Sequence, residues 1–189
     1  MRGTDKLTND QYIKHLFEVL KRVDSYIGTT NTKCTLIMSY CAAAIGIVAL
    51  STYRVIPTIE NNLFLYFFGA ICCFVFATGV ACMFLAIKVI FPITFSSVER
   101  SKGDSVIFYG DVATFNGGAG GYHLKLQEIT EDDFIKDLSQ QIFTVSKIAS
   151  DKFSKIQTTS SLLIWLNFLP LVILLISCVI HSVICRGLV

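Results

Sequence analysis

The fold of this chain is decided by residues 161–185, which read SLLIWLNFLPLVILLISCVIHSVIC. Sixteen residues from Leu162 to Ile184 are Leu, Ile, Val or Phe, and the stretch contains no Asp, Glu, Lys or Arg. A helix needs about 20 apolar residues to cross a bilayer core. At about −0.3 to −0.6 kcal/mol for each of these side chains, insertion gains on the order of 5–10 kcal/mol and outweighs the polar Asn167 and His181. The stretch is predicted to be a transmembrane helix.

Two further runs lack charged residues, namely 34–53 and 61–87. They account for a charged fraction of only 16%, whereas soluble domains carry about 25%. All seven cysteines lie in the three uncharged runs, where they are expected to pack as small hydrophobes. We predict an all-α membrane protein with three transmembrane helices at 34–53, 63–88 and 160–184.

The distribution of Lys and Arg predicts the orientation. Residues 1–33 contain six and residues 88–157 contain eight, while the 54–62 loop and the 185–189 tail contain one each. Because positive charge is retained in the cytoplasm, we expect a cytoplasmic N-terminus, a cytoplasmic region at 89–159, and a periplasmic loop and tail. The net charges are +2 for 1–33 (six minus four) and −1 for 88–157 (eight minus nine). Without a polybasic stripe, nucleic acid is not an expected partner.

The predicted cytoplasmic segment 1–33 forms an amphipathic helix. Its apolar residues recur at spacings of three and four, which is one face of a helix. Its charged face mixes both signs, so we favour packing on the middle cytoplasmic region over adsorption to the bilayer. The apolar residues are Ile13, Leu16, Phe17, Leu20, Val23 and Ile27.

A second cytoplasmic helix is predicted over 131–159. Thr130 and Asp133 have the spacing of a helix-capping pair, and acids fill the first turn. Nothing before Leu162 breaks the helix, so it is expected to continue into the third span. The 54 residues from 131 to 184 would extend roughly 80 Å at 1.5 Å per residue. Pro170 is expected to kink it.

The stretch 104–124 joins the second span to this helix and is predicted to be a loop. Its glycines, in NGGAGG at 116–121, match neither a P-loop nor a dinucleotide fingerprint. Glycine is the usual residue where the backbone must turn freely. Asp111 has two interpretations: part of a short interfacial helix anchored by Phe108 and Tyr109, or one wall of a small-molecule pocket.

Several function classes have little support. Apart from Lys88 at the end of the second span, the spans contain no Asp, Glu, Lys or Arg, which disfavours ordinary transporters and selective channels. The three histidines are scattered, so neither catalysis nor a metal or cofactor is expected. Small residues spaced four apart allow helices to approach closely, either within the hairpin or between subunits. The main pairs are Ala42 with Gly46 and Ala77 with Ala81.

Three ordered stretches resemble a known family, the transmembrane effectors of bacterial Pycsar anti-phage defence. They are TNTKCTLIMSYCAAAIG (30–46), VIFYGDVATF (106–115) and YHLKLQEITEDDFIKDLSQQIFTVSKIASDKFSKIQTTSSLLIWL (122–166). Asn31 stands where the family more often has an acid, and NGGAGG resembles an insertion.

The resemblance implies that a partner pyrimidine cyclase makes cyclic CMP or cyclic UMP during infection. The effector, an inner-membrane homo-oligomer, would sense the nucleotide and disrupt the bilayer, so that the infected cell dies early (abortive infection). Two other hypotheses stay open: a holin- or toxin-like protein that acts without a nucleotide, and a non-toxic membrane scaffold that docks a cytoplasmic partner.

A cyclic nucleotide carries one negative charge, so its site is expected to include Lys or Arg. Tyr109 and Asp111 would contact the base or ribose. An equally good assignment for Asp111 is a salt bridge to a lysine that clamps the resting state. The remaining candidates are Lys33, Gln141, Ser146, Lys147, Asp151 and Lys152.

Overall fold

The computed structural model describes residues 8–91 and 105–187, and the side chains of residues 8–91 and 105–183. Every regular element in these ranges is a helix and neither range contains a strand, which confirms the all-α prediction. The elements are α1 (Asn9–Val55), a 3₁₀ turn (Ile56–Thr58), α2 (Asn62–Ile90), α3 (Tyr109–Ala113), α4 (Gly118–Glu128), α5 (Glu131–Leu162), a π-helical segment (Leu163–Phe168) and α6 (Leu169–Gly187). Of the predicted segments, residues 1–7, 92–104 and 188–189 lie outside the described residues.

The chain divides into two compact units. The polar unit comprises Met1–Thr29 and Ile93–Asp151, and the membrane unit comprises Thr30–Pro92 and Lys152–Val189. Both α1 and α5 begin in the polar unit and end in the membrane unit.

Three helices of the described chain are long and apolar enough to cross a membrane, in agreement with the predicted number of spans. The third runs from Glu131 to Val183 without interruption, as predicted. Pro170 was expected to kink it, and a π-helical segment lies directly before this residue. Proline cannot donate to the carbonyl four residues earlier and its ring crowds that carbonyl. The wider π turn, in which the Leu169 amide donates to the Ile164 carbonyl, gives the ring more room.

In the polar unit, capping side chains fix where the long helices begin. The Asp133 amide donates to the Thr130 hydroxyl, which in turn donates to the Asp133 carboxylate, so the predicted cap of α5 is confirmed. The N-terminal helix contacts α5, because the Phe17 and Phe134 rings lie 6.3 Å apart and Asn9 donates to Glu131. These contacts agree with the predicted packing of the N-terminal helix on protein.

The predicted loop over 104–124 is wrong over most of its length, because its glycines begin a helix. Gly117 and Gly118 have φ values of 80° and 60°, a conformation that side chains disfavour. A Cβ at Gly121 would lie 2.1 Å from the Asn116 carbonyl oxygen. The glycines therefore allow a tight reversal directly into α4, which begins at Gly118.

The membrane unit has two apolar clusters. The first cluster joins α1, α2 and α5. Four of its buried residues are small, namely Cys34, Cys41, Cys82 and Ala86. The second joins α1, α2 and α6 around Phe68 and Leu174. The buried cysteines pack as small hydrophobes, as expected from their apolar surroundings.

The small residues predicted to pack helices together do not do so within one chain. Ala42, Gly46, Ala77 and Ala81 are all exposed on the surface of the membrane unit. The interior positions are taken by the cysteines and Ala44, which share a different helix face. A spacing of four places small residues on one face of a helix. It does not specify whether that face packs against the neighbouring helices or lies on the surface. Contact between subunits stays a prediction for these four.

Candidate functional site

The most unusual charged group of the membrane unit is Lys152, whose side chain is only 4% exposed. Its ammonium donates to the amide oxygen of Asn31 at 3.1 Å. No carboxylate of a described residue pairs with it. Burial lowers the pKa of Lys152 below its ordinary value, because few groups solvate the charge. A buried cation with a neutral partner is well suited to accept an anion.

The surroundings of this ammonium combine polar and aromatic groups. Thr30 and Cys34, on the two sides of Asn31 in α1, are fully buried. The ammonium of Lys33 lies 5.7 Å from the centre of the Phe153 ring, which is 37% exposed. Lys33 and Phe153 are near neighbours in sequence of Asn31 and Lys152, on the same two helices, and both are exposed. We call Asn31, Lys33, Lys152 and Phe153 the lysine site.

In the polar unit, Asp111 is engaged with the backbone. Its carboxylate accepts a hydrogen bond from the Ser105 amide at 3.3 Å. No lysine among the described residues forms an ion pair with it, and the suggested Asp111–lysine clamp stays a prediction. Asp111 instead helps to close the turn that leads into α3.

A second carboxylate, that of Asp137 on α5, holds the same turn more firmly. It accepts from the Ser105 hydroxyl and from the Val106 amide, each at 2.9 Å. The Ser105 oxygen also accepts from the Phe108 amide. Tyr122 of α4 donates to the Val106 carbonyl at 2.8 Å. This network anchors the turn, so Asp137 has a structural role.

The other predicted ligand residues of the polar unit are less constrained. Tyr109 is 70% exposed and its ring packs against Phe108. Lys147 is exposed, and three more candidates on α5 are partly exposed. The structure therefore places Lys33 and Lys152 in one unit and the other six candidates in the other. Those six are Tyr109, Asp111, Gln141, Ser146, Lys147 and Asp151.

Comparison with known proteins shows the family. The model of the Pycsar effector protein domain matches residues 15–181. The chain belongs to the Pycsar effector family. It is also 29% identical over 147 residues to the Pycsar effector protein EcPycTM of Escherichia coli, an alignment that covers 77% of this chain and 79% of that protein. No solved structure matches it.

Family membership makes this protein an effector of bacterial anti-phage defence and confirms the resemblance found in the sequence. The matched region contains both the lysine site and the Asp137 network. In this Pycsar effector the partner of Lys152 is the side-chain amide of Asn31.

Sequence analysis of this Pycsar effector missed three polar residues to which the structure draws attention. Asp137 sits in a helix among other acids, and no local pattern shows that it is buried. Asn167 was considered only for the free energy that it costs on membrane insertion. A lone amide in an apolar span also indicates a hydrogen bond between helices. His181 contacts the Thr58 hydroxyl at 3.0 Å and stacks on the Phe64 ring at 5.5 Å.

The His181 side chain lies between two open grooves at the Thr58 end of the membrane unit. Their volumes are about 510 and 570 Å³. Glu60 lines the first groove and Arg54 lines the second, and the remaining lining is mainly apolar. No group of three or more His, Cys, Asp or Glu residues in the described chain is arranged to hold a metal ion.

Proposed function

We propose that this Pycsar effector senses cyclic CMP or cyclic UMP, made by a partner pyrimidine cyclase during phage infection, and permeabilises the bacterial inner membrane. The infected cell would then die before phage matures. In this proposal the N-terminus and the polar unit are cytoplasmic, the 54–62 loop is periplasmic, and the active form is a homo-oligomer. The positive-inside distribution of Lys and Arg supports this orientation.

The single observation that carries the sensing proposal is the buried Lys152 ammonium with its neutral partner. A cyclic phosphate has one negative charge and would neutralise this cation with charge-assisted hydrogen bonds. Lys33, whose ammonium lies over the partly exposed Phe153 ring, would add a second positive charge. The candidates of the polar unit stay predictions for contacts with the base or ribose.

Helix continuity supports the coupling between sensing and permeabilisation. Both members of the Asn31–Lys152 pair lie on helices that extend into the apolar clusters of the membrane unit. Displacing Asn31 from Lys152 removes a contact between α1 and α5. A ligand can shift such an equilibrium only by its different affinity for the two states, and small shifts between packed helices are a common form of the response.

The test is dye entry into bacteria that express the full chain, with cyclic CMP and cyclic UMP supplied separately. We expect permeabilisation with one nucleotide, and we expect Lys152→Met to raise the required concentration roughly tenfold to hundredfold, as for loss of one charged hydrogen bond. Lys152→Arg should keep most of the response. Lys155→Met is the matched control, because Lys155 lies almost one turn further along α5 and is exposed.

Each outcome has a definite meaning. Permeabilisation without nucleotide would contradict sensing and favour the holin-like hypothesis. Lack of permeabilisation, with the protein present in the membrane, would favour the scaffold. An equal nucleotide response of wild type and Lys152→Met would overturn the lysine site and direct attention to the polar unit.

A further inference from the structure

The membrane unit contains a buried amide with an unused acceptor. Asn167 is fully buried. Its side-chain nitrogen donates to the Val75 carbonyl at 2.8 Å and to the Thr78 hydroxyl at 2.9 Å. Its side-chain oxygen has no donor among the described residues, and neither does the buried hydroxyl of Tyr40.

These groups lie in one polar layer between the two apolar clusters. Along α1 the first cluster ends at Cys41 and the second begins at Ala44. Along α2 the second cluster ends at Val75 and the first resumes at Cys82, with Thr78 between them. Tyr40 packs against both clusters. Since Val75 and Thr78 lie near the middle of the predicted span 63–88, the layer is near the centre of the bilayer.

The π-helical segment explains why Asn167 points inward. Asn167 lies within this segment. The buried positions along the third helix include Thr159, Asn167 and Leu171. The half-buried Leu163 lies between the first two, so each is four positions from the next. A regular helix alternates spacings of three and four along one face, and the extra residue of a π turn accommodates the repeated four. π-helical turns occur frequently at functional sites.

An unsatisfied acceptor in this position is costly. A buried polar atom without a partner costs about 1–3 kcal/mol, and hydrocarbon supplies no donor. The Asn167 side-chain oxygen is an acceptor, and Tyr40 in the same layer has a hydroxyl that both donates and accepts. The two apolar clusters contain no carboxylate that could neutralise a cation. Water, which donates two hydrogen bonds and carries no charge, fits this chemistry.

We propose that the Asn167 side-chain oxygen and the Tyr40 hydroxyl form a water-binding site at the centre of the membrane unit, where the permeation path first fills when the helices part. The two apolar clusters are then the barriers on either side, since apolar constrictions close a pore by excluding water. This inference rests on the proposed permeabilisation for its nucleotide-dependent part and goes beyond it by locating the entry of water.

The experiment measures osmotic water permeability of liposomes containing the full chain, by stopped-flow light scattering. With the active nucleotide, Asn167→Leu should show about one tenth of the wild-type increase, since Leu has a similar volume but holds no water. Without nucleotide, Asn167→Asp should raise the permeability severalfold above that of wild type, because the substitution removes the amide donor to the Val75 carbonyl and leaves more buried polar atoms that water can satisfy. Tyr40→Phe should reduce the nucleotide-dependent increase by less than Asn167→Leu.

Ile173→Asn is the control for adding an amide elsewhere, because Ile173 is exposed on α6, and it should behave as wild type. Equal thermal stability of wild type and Asn167→Leu would exclude misfolding as the cause. If neither nucleotide changes the water permeability of wild type but Asn167→Asp still conducts water, nucleotide sensing is overturned and the water site is supported. A normal nucleotide response in Asn167→Leu, with no leak in Asn167→Asp, would overturn the water site and keep nucleotide sensing.

Discussion

Among the described residues, the polar unit and the membrane unit each bury one charged side chain, and the two side chains have different kinds of partner. Asp137 is 8% exposed and accepts hydrogen bonds from a hydroxyl and a backbone amide of the 105–106 turn. Lys152 is 4% exposed and donates to one neutral amide oxygen. The first charge is satisfied by its own unit, and the second is only partly satisfied.

This difference separates a structural charge from a binding charge. Removing a carboxylate that accepts several hydrogen bonds leaves buried donors without partners, so Asp137 is expected to matter for stability. A buried ammonium without a carboxylate destabilises its own unit, and an anionic ligand relieves that cost. Burial is the same in both cases. The chemistry of the partners decides the role.

The largest expected effect is that of Asp137→Ala. Loss of the acceptor leaves the Ser105 hydroxyl and the Val106 amide unpaired, so we expect about 3 kcal/mol of destabilisation, or a melting temperature lower by roughly 6–12 °C. A thermal-shift measurement on purified protein in detergent checks this. Asp132→Ala is the matched control, because Asp132 is exposed on the same helix. An unchanged melting temperature in Asp137→Ala would remove the contrast between the two units.

An intermediate effect is expected from Asn31→Asp, which gives Lys152 a carboxylate partner in place of the amide. The carboxylate would neutralise the ammonium, raise its lowered pKa and stabilise the resting contact between α1 and α5. We expect the nucleotide concentration for half-maximal permeabilisation to rise about tenfold, equivalent to about 1.4 kcal/mol. Titrating dye entry against nucleotide measures it. Asn31→Asp should lose this effect in the Lys152→Met background, and a shift that persists there would contradict the pairing.

The smallest effect is expected from Asp111→Ala. The hydrogen bond from the Ser105 amide is long, at 3.3 Å, and Asp111 is only half-buried, so its loss should cost at most about 1 kcal/mol. The melting temperature should fall by roughly 2–4 °C, and the nucleotide response should stay within about twofold of wild type. Loss of the response without a change in melting temperature would instead identify Asp111 as a ligand contact.

Much of the fold followed from local patterns, whereas the candidate site did not. The cap at Thr130 and the continuous helix into the third span depend on neighbouring residues and were predicted. The glycines of NGGAGG were misassigned because the same residue that frees a loop also permits the tight turn before α4. Ala42 and Gly46 have the spacing of a helix contact, but the cysteines occupy the interior face.

The sequence by itself determined that three helices are long and apolar enough to cross a membrane, because the free energy of insertion is a sum of contributions from successive side chains. It also determined the family, through the order of its motifs. Only the tertiary structure decided which polar groups meet. Lys152 and Asn31 are 121 positions apart, Asn167 and Thr78 are 89 apart, and Ser105 and Asp137 are 32 apart. Such pairs depend on the register in which whole helices pack, and periodicity within one helix does not specify that register.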